Sequence, residues 1–181
     1  VRPSERYRES VLAAIREFQA EGRYRAYSLV SLTADFAAFV RHLLDDEDPA
    51  TLPPHLVPQT HYWLVEGDQF IGRASLRHHL NDQLRLLGGH IGYEIRPSRR
   101  RQGHGTTILG LVLPKARERG LARVMITCDA DNIASRRIIE HHGGVPDEPY
   151  IPPDGSVPAL RYWIALENMP AQSTTPGTIR D

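Results

Sequence analysis

The segment from His90 to Asp129 places the tightest limit on the fold. Residues 90–96, HIGYEIR, alternate like a strand, and Pro97 closes them. Gly103 and Gly105 then introduce an apolar helical period that runs to Arg119. Residues 122–129, ARVMITCD, are an apolar run of strand length. A strand that passes through a helix to another strand crosses over within one sheet layer. Pro114 sits inside the helix, where it lacks an N–H for the Gly110 carbonyl and is expected to kink or end it.

The remaining segments build around this crossover. Residues 3–19 read as an amphipathic helix capped by Ser4, with Tyr7, Val11, Ile15 and Phe18 on one face and Gly22 at its end. Tyr27 to Leu32, YSLVSL, reads as a short strand. Thr33 then caps a second helix with Phe36, Phe39, Val40, Leu43 and Leu44 on one face. Residues 45–58 are acidic, then proline-rich, and read as a surface loop. Residues 60–78 hold two strand-like runs around the turn signal Gly67-Asp68. A short helix is expected over 132–144 and a last strand over 161–167.

No internal repeat is visible. The expected division is an N-terminal helical segment, 1–26, one α/β domain, 27–168, and a disordered polar tail, 169–181. The expected architecture is a central twisted mixed sheet of six to seven strands with helices on both faces.

Composition removes several function classes. The 22 basic and 22 acidic residues cancel, which argues against a nucleic-acid partner. No apolar run approaches the roughly 20 residues that span a bilayer, so no membrane partner is expected. The start, VRPSERYRES, lacks a signal-peptide pattern, and a cytoplasmic location is expected. Cys128 is the one cysteine, so neither an internal disulfide nor a cysteine-rich zinc site is available. The pairs His78-His79 and His141-His142 are sequence neighbours that do not chelate by themselves, and no metal is expected.

The turn RRRQGHG, Arg99 to Gly105, carries the chemistry. Glycine lets the backbone bend and approach a ligand, and a helix N-terminus offers unpaired N–H groups to an anion. A P-loop needs lysine after its last glycine, where Thr106 stands. A dinucleotide fingerprint needs a third small residue, where Ile108 stands. A nucleic-acid arm needs aromatic interleaving, which Arg99 to Arg101 lack.

The pattern Arg100-x-x-Gly103-x-Gly105 after a strand resembles the acetyl-CoA loop of the GCN5-related N-acetyltransferase (GNAT) superfamily. DNIASRRIIEHHGG, 131–144, resembles that family's Asn-x-x-Ser segment, and the element order from Tyr27 to Glu167 is similar. The resemblance implies acetyl transfer from acetyl-CoA, the co-substrate, to a primary amine of a small molecule or peptide. It implies a strand His90–Arg96, fourth in the family, splayed from the fifth, Val124–Asp129. Pantetheine would pair with backbone near Ile95. The pyrophosphate would rest on N–H groups of Gln102, Gly103, His104, Gly105 and Thr106, assisted by Arg96, Arg100 and Arg101. Asn132 and Ser135 would lie beside the cofactor. A homodimer is common in the family.

Two candidates stand for the general base. Glu94 is a carboxylate on the fourth strand, and His90 is a candidate because the unperturbed histidine pKa of about 6.5 suits proton transfer near neutrality. The acid is missing from its usual place. Many members carry Tyr where Ile139 stands, so the thiolate would take its proton from Tyr150, Tyr162 or solvent. Two readings without turnover stand beside catalysis. One is a GNAT-fold module that binds acyl-CoA. The other is an interaction domain whose loop holds a structural anion.

Overall fold

The computed structural model describes residues 1–167. The segment 169–181, with its expected disorder, lies outside them. A 3₁₀ turn, Glu5–Tyr7, leads into α1, Arg8–Ala20; the Ser4 side chain accepts the Arg6 N–H. Val11, Leu12, Ile15 and Phe18 are buried at the helical spacing. Arg23 and Gly22 donate back to the Phe18 and Gln19 carbonyls, with Gly22 at φ +78°, which closes the helix in a Schellman turn.

The strand expected at Tyr27 to Leu32 is a helix, α2, Leu29–Ala34, capped by Ser28. Its apolar residues obey a period near three: Leu32 is buried, Leu29 packs beside it, and Val30 is 81 % exposed. A six-residue run with no strand neighbour settles by which side chains it buries. Thr33 falls inside α2, and Asp35 instead caps α3, Phe36–Asp45, by accepting the Ala38 N–H at 2.8 Å.

β1 (Gln59–Glu66) and β2 (Gln69–Arg77) form the expected hairpin, and Gly67 adopts φ +55° in its turn. A short helix, α4, Asp82–Leu86, follows; its five residues carry too little period to be read from sequence. The crossover is β3 (Ile91–Ile95), α5 (His104–Glu118) and β4 (Arg123–Asp129). Then come α6 (Ile133–His141), β5 (Val145–Tyr150) and β6 (Ala159–Ala165). The helix passes Pro114 without ending, contrary to the early end considered above. Leu113 and Ala116 are fully buried on either side and outweigh one missing hydrogen bond.

The six strands among the described residues form two antiparallel sheets, ordered β1-β2-β3 and β4-β6-β5. The single mixed sheet expected above is therefore divided at the crossover. One core, with Leu76, Ile91, Leu109, Leu113, Ile126 and Ile164, fills the space between α5, α6 and both sheets. A second, with Phe18, Phe36, Trp63 and Phe70, lies under α1 and α3. Helices thus cover both faces. No helix among the described residues is long and apolar enough to cross a membrane.

Candidate active site

The site begins where β3 and β4 part. The His90 backbone N–H donates to the Met125 carbonyl at 2.7 Å, and the Met125 N–H donates to His90 Nδ1 at 2.9 Å. A side-chain nitrogen thus takes the place of a strand carbonyl. No ladder continues from this joint among the described residues. Gly89, at φ +60°, makes the approach feasible, because a Cβ there would lie 2.4 Å from the Met125 oxygen. Beyond the joint the strands diverge into an open cleft of ≈ 260 Å³. A further cavity lies inside the second core and holds ≈ 20 Å³, too little for a substrate.

The backbone of β3 serves this cleft. Arg77 donates to the His90 carbonyl, and Arg96 donates to the Ile71 carbonyl, both towards β2. Alternation along an antiparallel ladder then turns the N–H and C=O groups of Ile91, Tyr93 and Ile95 away from β2, towards the gap. The cleft is lined by Ile91, Tyr93, Thr127, Cys128, Asn132 and Ser135, among others. Asn132 caps α6 by accepting the Ser135 N–H at 3.0 Å, which leaves its amide Nδ2 as the donor for a ligand. The Tyr93 hydroxyl lies 2.9 Å from Ser135 Oγ. Sequence reading missed Tyr93. It shares a strand face with Ile91 and Ile95, and the search for a base followed the opposite face, with His90 and Glu94.

The glycine turn lies at the C-terminal end of β3. Arg101 (φ +63°) and Gly103 (φ +82°) bend the chain, and Gly103 caps α5. The first helical bond runs from Thr107 N–H to the Gly103 carbonyl at 3.1 Å. The N–H groups of Gly103, His104, Gly105 and Thr106 therefore have no intrahelical acceptor. Nothing stands within 4 Å of a Cβ built on Gly103. Gly105 has a different duty, since its Cβ would meet Ile138 Cδ1 at 2.6 Å and hold α5 off α6.

The arginines do not surround that cradle as expected. Arg96 pairs with Glu17 on α1 at 2.7 Å, and Arg100 pairs with Glu21, the C-cap of α1, at 2.8 Å. Arg100 Nε also donates to the Ile95 carbonyl. Arg99 pairs with Glu66. These side chains hold the loop in place with their charge already matched. Arg101 alone of the four pairs with no carboxylate among the described residues, and Gln102 donates weakly to the Ser98 carbonyl.

Both candidate bases are corrected by their surroundings. His90 is 6 % exposed, and its Nδ1 lone pair is engaged by Met125 N–H. Burial, with Arg85 and Arg77 nearby, lowers its pKa to about 4. The neutral ring carries its proton on the other nitrogen and has no lone pair left to offer. Glu94 accepts from Arg73, Arg23 and the Tyr24 hydroxyl. Burial alone would raise its pKa, but Arg73 and the two other donors hold it below the ordinary carboxylate range. A carboxylate bound this firmly is a poor proton acceptor.

The candidate acids are also displaced. Tyr150 ends β5 opposite Ala159 and is not part of the cleft wall. The Tyr162 hydroxyl reaches Glu140 Oε1, and its ring is buried in the first core. Ile139 is fully buried there too, so its position faces the core and not the cleft. The acidic run 45–48, read as a solvated loop, is partly structural. Asp46 is 9 % exposed and accepts from Gln59 and from His61 Nε2 at 2.7 Å.

A sequence model described as "Acetyltransferase (GNAT) domain" matches residues 12–145. No curated protein matches the chain by sequence. Among solved structures it is similar to yncA from Salmonella typhimurium with its cofactor acetyl-CoA, at 16 % identity and TM-score 0.61, covering 96 % of this chain and 97 % of that one. It is similar to the microcin C7 self-immunity acetyltransferase MccE, in complex with acetyl-CoA and AMP, at 15 % identity and TM-score 0.67, covering 91 % and 90 %. It is also similar to RimL, a ribosomal L7/L12 alpha-N-protein acetyltransferase in complex with coenzyme A, at 14 % identity and TM-score 0.65, covering 90 % of each. At such identities the structures speak for the fold alone. The family match spans well over half of the sequence, and the chain belongs to the GNAT acetyltransferase family.

Proposed function

We propose that this protein transfers an acetyl group from acetyl-CoA to a primary amine by direct attack within a ternary complex. The observation that carries this reading is the cleft opened at the His90–Met125 joint, with an anion cradle at one end and polar side chains in its wall. Family membership supports it. The pyrophosphate rests on the N–H groups of Gly103 to Thr106. Pantetheine lies along the side of β3 that faces the gap, its amides matched by the Tyr93 backbone and the Ile95 N–H, since the Ile95 carbonyl already accepts from Arg100. Asn132 Nδ2 and Ser135 meet the thioester end.

The amine attacks the thioester carbonyl, and charge gathers on oxygen. A backbone N–H of β3 that faces the gap stabilises it. The ammonium proton leaves to water, because His90 and Glu94 are both engaged. Such a site suits an acceptor that is partly neutral already. An α-amino group has an ordinary pKa of about 8, against about 10.4 for a lysine side chain. The proposed acceptor is therefore the α-amine of a peptide or an amino-acid-like molecule. Glu94 holds Arg23 and Tyr24, from the turn after α1, against the sheet on the acceptor side.

Calorimetry with acetyl-CoA, followed by thiol release across matched α- and ε-amines, tests this. Binding, with turnover favouring α-amines, is expected. Absence of acetyl-CoA binding removes the reading, and binding without turnover on any amine leaves an acyl-CoA-binding module.

A further inference from the structure

The leaving group poses a problem that position 139 does not solve. When an amine displaces sulfur, the C–S electron pair goes to sulfur, and the sulfur then needs a proton. Ile139 has none to give and faces the core. Across the cleft, three polar side chains converge. Tyr93 reaches from β3, Cys128 from β4 and Ser135 from the first turn of α6, and all three line the gap. The Tyr93 hydroxyl is 2.9 Å from Ser135 Oγ and 3.4 Å from the Ser135 carbonyl. It bridges the two sides of the cleft at the end near Asn132.

We propose that Tyr93 is the proton donor to the departing CoA thiolate, held in position by Ser135. This rests on the acetyl-transfer reading above. The N–C bond forms, the C–S bond breaks, and its electron pair settles on sulfur. The Tyr93 O–H proton moves to that sulfur, and the phenolate is refilled from water by the proton the amine has released. Ser135 Oγ–H donates to Tyr93 Oη, which leaves the phenol proton on its long 3.4 Å bond to the Ser135 carbonyl, from which it turns to the departing sulfur. Burial raises the Tyr93 pKa to about 12, so the phenol stays protonated through the neutral range. Burial also raises the Cys128 thiol, which keeps it neutral beside the sulfur.

The thiol of bound coenzyme A reports the donor without any acceptor. Its pKa is read from ultraviolet thiolate absorbance, as a difference from the ligand-free protein, with coenzyme A affinity measured by calorimetry. In Tyr93→Phe the bound thiol pKa is expected to rise by about one unit or more, the strength of a hydrogen bond to a charged acceptor. The kcat with acetyl-CoA is expected to fall by roughly 10²-fold, at unchanged coenzyme A affinity. Ser135→Ala leaves the phenol in place and produces a smaller change in both. An unchanged thiol pKa and kcat in Tyr93→Phe overturn the proposal. So does a full loss in Ser135→Ala with none in Tyr93→Phe, which moves the role to the serine. A wild-type protein that fails to bind coenzyme A refutes the acetyl-transfer reading instead. One that binds it while Tyr93→Phe is indifferent refutes the donor alone.

Discussion

Gly89→Ala strikes the joint that opens the cleft. Gly89 has φ +60°, a conformation that costs a non-glycine residue roughly 1–2 kcal/mol. The added methyl would stand 2.4 Å from the Met125 oxygen, 2.8 Å from its carbonyl carbon and 3.2 Å from Ile126 Cα. All three are backbone atoms of β4 and have no rotamer into which to retreat. Ordinary contact requires β4 to withdraw by on the order of 1 Å. That breaks the 2.7 Å and 2.9 Å bonds between His90 and Met125, each a net contribution of about 1 kcal/mol. The expected loss is about 3–4 kcal/mol, a large share of the 5–15 kcal/mol typical of a folded domain. Gly67→Ala is the control. It shares the backbone strain, φ +55°, but nothing lies within 4 Å of its Cβ, so about 1–2 kcal/mol is expected. Urea denaturation measures both, and the Gly89 variant should melt roughly 10 °C lower than wild type. Equal losses in the two variants would refute the claim that close approach at Gly89 builds the joint.

Three further outcomes are expected. The His90 pKa of about 4 lies below the ordinary value of about 6.5, so the unfolded chain takes up a proton that the folded chain refuses. Stability should therefore fall as pH drops from about 6.5 to 4, by roughly 3 kcal/mol. His90→Gln, whose amide oxygen can accept the Met125 N–H, should flatten most of that limb. Burial also lowers His61, which leaves a remainder, and identical acid limbs in the two proteins would contradict the assignment. Glu94→Gln strips Arg73 and Arg23 of their counter-charge and should cost about 2 kcal/mol at pH 7. Because the Glu94 pKa is lowered, this stabilisation is present above the ordinary carboxylate range and disappears as pH falls through the lowered value. A kcat loss of roughly 10²-fold in Glu94→Gln, with stability intact, would restore Glu94 as the base. Ile139→Tyr should overpack the core by about 1–3 kcal/mol without raising kcat; faster turnover would show that the position does reach the cleft.

The long periodic segments were legible in the sequence because period alone decides them. α1, the β1–β2 hairpin and the β3–α5–β4 crossover all repeat their apolar residues over enough positions to exclude the alternatives. Tyr27 to Leu32 was too short for that, and the burial of Leu32 decided for helix. The division into two sheets was not legible from strand patterns, because it turns on one imidazole nitrogen replacing a carbonyl. The glycine cradle could be read, but the arginine roles could not. Glu17 on α1 and Glu21 at its C-cap sit four residues apart and neutralise Arg96 and Arg100 from 79 positions away. Tyr93 and Ser135 are 42 residues apart, and only the folded crossover brings their hydroxyls together.

The most direct test of the proposed site is a crystal structure of the protein with acetyl-CoA bound. The expected result has the pyrophosphate on the N–H groups of Gly103 to Thr106 and pantetheine between β3 and β4. The thioester sulfur should lie within hydrogen-bond reach of the Tyr93 hydroxyl. A cofactor bound outside this cleft, or a sulfur turned away from Tyr93 and Ser135, would contradict it.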